Sequence, residues 1–195
     1  MSFNLATILR ESARTYPDKA VVISGGARMT YAELDAAADR MATGLAARGL
    51  QPGSVVGVHL PNVPQFLVAY FGILKSGCVA VPMNVMYKAG ELAHILRDSG
   101  AQLLITWAGV AEEAAKAAAD IGLTELYVLT TPGLPQSAIG HPSERQLTQA
   151  PSGRPPMYQS DPGATAVIIY TAGTTGRPKG AELTHFQLFM NADTP

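Results

Sequence analysis

Ten residues of this 195-residue chain have the make-up of an anion-binding loop. Thr171 to Gly180 reads Thr-Ala-Gly-Thr-Thr-Gly-Arg-Pro-Lys-Gly, and an apolar run, Ala164 to Tyr170, leads straight into it. Gly173, Gly176 and Gly180 are free to take positive φ, which lets successive backbone N–H groups converge on one anion. Thr171, Thr174 and Thr175 add hydroxyl donors. Lys179 adds a full positive charge on a flexible stem, and Pro178 fixes the backbone just before it. A ligand with several negative charges and many acceptor oxygens matches this set, and a polyphosphate is such a ligand. The candidate phosphate contacts are Thr171, Gly173, Thr174, Thr175, Gly176 and Lys179. The plainer alternative is a strand-to-strand turn that needs glycines and carries a solvated lysine.

Other phosphate loops do not fit. Counting a Walker A pattern from Gly173 puts its second glycine at Pro178, and no Gly-Lys dipeptide occurs in the chain. No G-x-G occurs either, so the dinucleotide fingerprint is absent. A G-x-S-x-G nucleophile turn is also missing.

The elements that must hold this loop can be read from spacing. Leu5, Ile8 and Leu9 share one face of a helix expected over residues 1–16, which Pro17 ends. Residues 20–24 are strand-like, and Gly25-Gly26 turns them into a short strand ending near Met29. Thr30 and Glu33 have capping-box spacing, Met29 and Leu34 that of a hydrophobic staple, and Gly49 suits the left-handed residue past the helix end. Strands are then expected at 55–60, 78–82, 103–106 and 125–129. They alternate with helices at 64–76, 91–99 and 110–121, which Gly77, Gly100 and Gly122 close. That alternation predicts an α/β fold: a parallel-rich sheet flanked by helices. Val55 to Leu74 is uncharged over twenty residues, but Pro61, Asn62 and Pro64 break it into strand, turn and helix rather than a membrane span.

Residues 131–163 hold seven prolines, at 132, 135, 142, 151, 155, 156 and 162, and read as an exposed connection. The expected organisation is an α/β subdomain over 1–130, the Pro-rich connection over 131–163, and a strand, phosphate loop and start of the next subdomain over 164–195. In that last part, 182–184 reads as a short strand and Thr184 as the cap of a helix carrying Phe186, Leu188, Phe189 and Met190.

At this point the sequence resembles a known family. Tyr170-Thr-Ala-Gly-Thr-Thr-Gly-Arg-Pro-Lys-Gly180 is similar to the phosphate-binding signature of the adenylate-forming (AMP-binding) enzymes, the superfamily of acyl-CoA synthetases, peptide-synthetase adenylation domains and firefly luciferase. Met29-Thr-Tyr-Ala-Glu-Leu34 resembles its first core motif, and Leu74-Lys-Ser-Gly-Cys-Val-Ala-Val-Pro-Met-Asn84 its second. Residues 87–106, with Glu91-Leu92 and Asp98-Ser-Gly-Ala101, are similar to the acyl-CoA synthetase branch. Ala172 departs from the family, which usually has serine there, and this implies weaker anchoring rather than a lost site.

The resemblance implies the N-terminal part of the family's large domain and a two-step reaction. ATP and a carboxylic acid give an acyl-adenylate and pyrophosphate; a thiol, usually that of coenzyme A, then takes the acyl group. The loop would hold the β- and γ-phosphates with Mg²⁺ and stabilise departing pyrophosphate. The branch favours a fatty acid. Family members continue for several hundred residues, and the adenine and acyl pockets, the acidic Mg²⁺ ligand, the ribose-binding aspartate and the C-terminal lysine fall in that part. The expectation is therefore a fragment with no catalytic residue and no metal ligand of its own, inactive alone. Its apolar surface at 164–170 and 186–190 would drive self-association. The alternative is a catalytically empty remnant that acts as a protein-interaction module.

Composition narrows the rest. Fourteen Lys and Arg against fifteen Asp and Glu give net charge −1, with no basic stripe for nucleic acid. Hydrophobic residues make up 47% and charged residues only 15%, which excludes a disordered chain. The lone Cys78 cannot form an intramolecular disulfide and suits a small buried hydrophobe in a reducing compartment. Histidines 59, 94, 141 and 185 lack metal-ligand spacing. His59 reads as a hydrogen-bonded core histidine, and His185 as a capping or packing residue. No signal peptide is visible at the N-terminus. The expected location is cytoplasmic, with peripheral membrane attachment left open.

Overall fold

The computed structural model describes residues 2–130, 141–149, 157–171 and 177–193. The first helix, α1 (Thr7–Thr15), starts later than its apolar spacing suggests. The residues before it are committed elsewhere: Phe3 N–H donates to Ser160 O, the Asn4 side-chain amide to Leu74 O at 2.7 Å, and Leu5 N–H to His185 Nδ1 at 3.1 Å. Strands β1 (Ala20–Ser24) and β2 (Ala27–Thr30) form a small antiparallel hairpin across Gly25-Gly26. Helix α2 (Tyr31–Ala47) opens with the expected reciprocal cap. Glu33 N–H donates to Thr30 Oγ1, and Thr30 N–H donates to the Glu33 carboxylate at 2.8 Å.

The chain then alternates: β3 (Val55–His59), α3 (Pro64–Lys75), β4 (Val79–Pro82), α4 (Ala89–Asp98), β5 (Ala101–Trp107), α5 (Ala111–Ile121) and β6 (Leu126–Leu129). A short helix α6 (Arg145–Thr148) follows, then β7 (Thr165–Thr171), β8 (Lys179–Thr184) and α7 (His185–Asp193). Six strands join one sheet in the order β6-β5-β3-β4-β7-β8. All neighbours are parallel except β7 and β8, which pair antiparallel. The α/β fold read from the alternation is the fold observed. β8 is longer than the expected 182–184 because pairing with β7, invisible in its own residues, extends it back to Lys179.

Alternate residues of β3, β4, β5 and β7 feed two separate cores, as a sheet covered on both faces requires. Leu103 and Ile105 of β5 pack on the face that holds α1, α2 and α3, and Leu104 between them packs with α4 and α5. Tyr170 and Ile168 of β7 join the α4 side, whereas Val167 joins the other.

A buried ion cluster ties α1, α2 and α3 together. Lys75 Nζ lies 2.5 Å from Asp35 Oδ1 and 2.7 Å from Asp39 Oδ1, and Arg10 reaches Asp39 at 2.6 Å. Two cations and two carboxylates balance, which is the condition under which charge can stay away from water.

The described parts of the Pro-rich stretch are not a free connection. Leu147 on α6 is fully buried, and its backbone lies against Gly44 of α2 so closely that a Cβ there would fall 1.7 Å from Leu147 O. Tyr158 N–H donates to Lys75 O, and Ser160 is buried. Residues 131–140 and 150–156, also expected to be exposed, lie outside the described residues.

Candidate phosphate-binding site

Thr171 ends β7, Lys179 begins β8, and the two are direct partners in the antiparallel register. The chain thus leaves the sheet and rejoins it at one point. Because β7 runs parallel to β4, that point lies at the carboxyl end of the parallel strands, the edge where open α/β sheets take their ligands. The plainer alternative, a strand-to-strand turn, is the topology of this segment. Gly173, Thr174, Thr175 and Gly176, with Ala172, lie outside the described residues. Thr171 and Lys179 are both exposed, and among the described residues Lys179 makes no ion pair.

Helix α4 touches both flanks of the loop. On the entry side, the Tyr170 hydroxyl donates to Asp98 Oδ2 at 2.6 Å. Burial, reinforced by that carboxylate, holds the Tyr170 phenol well above its ordinary pKa, so it stays a donor. On the exit side, His94 Nε2 lies 3.0 Å from Pro178 O. A carbonyl only accepts, so this ring carries its proton on Nε2. Gly180, the register partner of Tyr170, leaves room for the tyrosine ring: a Cβ there would meet Tyr170 Cζ at 2.9 Å. Beside the exit flank, Arg97 and Arg177 border a groove of about 370 Å³ that His94 and Pro178 also line. His94 and Asp98 are neighbours of the loop that the sequence does not place there. Their i, i+4 spacing shows in the sequence, but nothing there connects them to residues about eighty positions away.

His59, His185 and Cys78 are buried, as expected. His59 is fully buried, with Nδ1 2.9 Å from Thr106 Oγ1 and Nε2 without a hydrogen-bond partner among the described residues. Burial lowers its pKa to about 4. His185 opens α7 and accepts from Leu5 N–H, and burial lowers its pKa too. Burial pushes the Cys78 thiol up, away from reactive thiolate. Among the described residues no group of three or more His, Cys, Asp or Glu side chains is placed to hold a metal ion, so they offer no cage for Mg²⁺. No described helix is long and apolar enough to cross a membrane.

The chain is similar to known proteins in sequence and fold. The chain is 38% identical over 178 residues to phosphinothricin tripeptide synthetase PhsC of Streptomyces viridochromogenes, covering 91% of this chain and 15% of that protein. It is 34% identical over 186 residues to the long-chain-fatty-acid–CoA ligase FadD13 of Mycobacterium tuberculosis, covering 93% of this chain and 35% of FadD13. The crystal structure of ATP-bound MatB from Rhodopseudomonas palustris superposes with a TM-score of 0.83 at 29% identity, over 98% of this chain and 37% of MatB. The chain therefore spans 15% to 37% of the length of these three proteins. Residues 9–194, which include both flanks of the loop and the helix that touches them, match the AMP-binding enzyme family, and the chain belongs to that family.

Proposed function

We propose that this chain is the phosphate-gripping N-terminal portion of an ATP-dependent acid–CoA ligase. The observation that carries the reading is the Thr171–Lys179 register, which brings a threonine hydroxyl and an ammonium with no ion pair among the described residues together at the ligand edge of the sheet. In the first step a carboxylate oxygen attacks the α-phosphorus of ATP, forming the acyl-adenylate as the bond to pyrophosphate breaks. In the second the coenzyme A thiol attacks the acyl carbonyl and AMP leaves. The work of this chain belongs to the first step. Thr171, Thr174 and Thr175 hydroxyls, the backbone N–H groups around Gly173 and Gly176, and the Lys179 ammonium hold the β- and γ-phosphates and stabilise the charge that grows on departing pyrophosphate. Mg²⁺ adds further charge neutralisation when it is bound with the nucleotide.

The acid is read as a fatty acid, on the acyl-CoA synthetase character of residues 87–106 and the similarity to FadD13; the similarity to a tripeptide synthetase keeps amino acids in the comparison. The chain by itself completes no turnover and works in the cytoplasm. Exposed Ile169, Phe186 and Met190 give it an apolar face through which copies associate.

The reading is tested by titrating the chain with inorganic pyrophosphate and with ATP in a calorimeter. Binding that Lys179→Ala abolishes supports it, and binding that survives Lys179→Ala removes the loop as the site. In the full-length parent, pyrophosphate release across a panel of fatty, aromatic and amino acids identifies the acid.

A further inference from the structure

We infer that α4 is a clamp on the phosphate loop, and that His94 and Asp98 are positioning residues for it. The inference rests on the phosphate reading above and adds to it what holds the two flanks of the loop in place. His94 and Asp98 lie four residues apart, hence one above the other on the same helix face. One holds Pro178 O, one residue before Lys179; the other holds the hydroxyl of Tyr170, one residue before Thr171. The two bonds thus grip the two strands just where the loop departs, and both originate from one rigid element.

That element is well anchored. Leu92, Ile95 and Leu96 on the opposite side of α4 are buried in the core between it and the sheet. A bond from such a helix fixes position better than one from another loop. Gly180 completes the clamp, because only a residue without a side chain lets the Tyr170 ring lie across β8 on its way to Asp98. The loop must present several donors to several phosphate oxygens at once, so a small widening of its mouth misplaces all of them together.

The clamp predicts a defect in ligand grip without a matching loss of fold. Loss of one neutral hydrogen bond costs roughly threefold to tenfold in an equilibrium. His94→Ala should weaken pyrophosphate binding to the chain by about that factor, and Tyr170→Phe, which loses a bond to a carboxylate, by about tenfold or more, while the melting temperature moves little. His94→Gln, whose amide can still donate to Pro178 O, should restore most of the affinity. Amide hydrogen exchange over residues 177–180 gives a readout that needs no ligand, and His94→Ala should accelerate it.

The outcomes separate the two ideas. Unchanged pyrophosphate affinity in His94→Ala and Tyr170→Phe, with Lys179→Ala still abolishing binding, overturns the clamp and leaves the phosphate reading intact. Unchanged exchange over 177–180 in His94→Ala also overturns it. Accelerated exchange in a chain that binds no pyrophosphate even unaltered would instead overturn the phosphate reading and leave α4 as the element that holds the loop flanks.

Discussion

Lys75 Nζ sits 2.5 Å from Asp35 Oδ1, with both side chains essentially inaccessible to water. The lysine closes α3 and the aspartate lies in the first turns of α2, so one ion pair joins two helices that share an apolar face. Removing one partner of such a pair leaves an uncompensated buried charge. Lys75→Met should therefore cost about 3–5 kcal/mol in urea unfolding. Removing a balanced pair, in Lys75→Met with Asp35→Leu, leaves Arg10 facing Asp39 and should recover much of that loss. A double variant as unstable as the single one would show that shape, not charge balance, sets the cost.

His59 gives stability a defined pH dependence. Its folded pKa is about 4 against 6.5 for the free side chain. The unfolded chain therefore takes up a proton below pH 6.5 that the folded chain refuses. Stability is complete above that value and falls as pH drops toward 4, by about 3 kcal/mol in all. His185, also held low by burial, acts in the same direction. His59→Gln does not titrate, so its unfolding free energy should fall less than that of the unaltered chain between pH 7 and 4.5. Equal slopes for the two proteins would mean that the ring is reached by water.

The parts of this fold visible in the sequence are those decided within a few residues. The Thr30–Glu33 cap, Pro64 in the first turn of α3 and the glycine turns at 49, 77, 100 and 122 depend on neighbours along the chain, and they stand where spacing puts them. The Asp35–Lys75 pair does not depend on neighbours, and its members look like ordinary solvated residues until α2 meets α3. Helix α6 has four residues and one buried anchor, Leu147, too few for any period to show. At the site, the loop's donor types and the apolar strand before it were legible. The direct Thr171–Lys179 pairing and the grip of α4 were not, because β7 reaches its partners only after the sheet is assembled.

Gly44 tests whether the Pro-rich stretch is docked. Within a helix, Gly→Ala ordinarily gains up to ~1 kcal/mol. Here the added methyl would drive into the Leu147 backbone carbonyl, which is not free to rotate away. Gly44→Ala should accordingly lower stability, by roughly 1–3 kcal/mol, the usual cost of overpacking. Proteolysis between 131 and 163 should speed up at the same time, because α6 must lift off α2 to make room. A gain in stability would show that α6 does not rest on α2 in solution.

Phe186 and Met190 lie four residues apart on α7, and each exposes about half of its surface, 52% and 45%. The opposite side of that helix is occupied: the Phe189 ring packs edge-on against Phe3 at 5.0 Å. Together with Ile169 on β7, which is also exposed, these two side chains offer apolar surface that water disfavours and that a second copy of the chain can cover. Light scattering at micromolar concentration should report a mass above that of the monomer. Phe186→Glu combined with Met190→Glu places two like charges on the face and should return the mass to that of one chain. A monomer before any substitution would rule out association through α7.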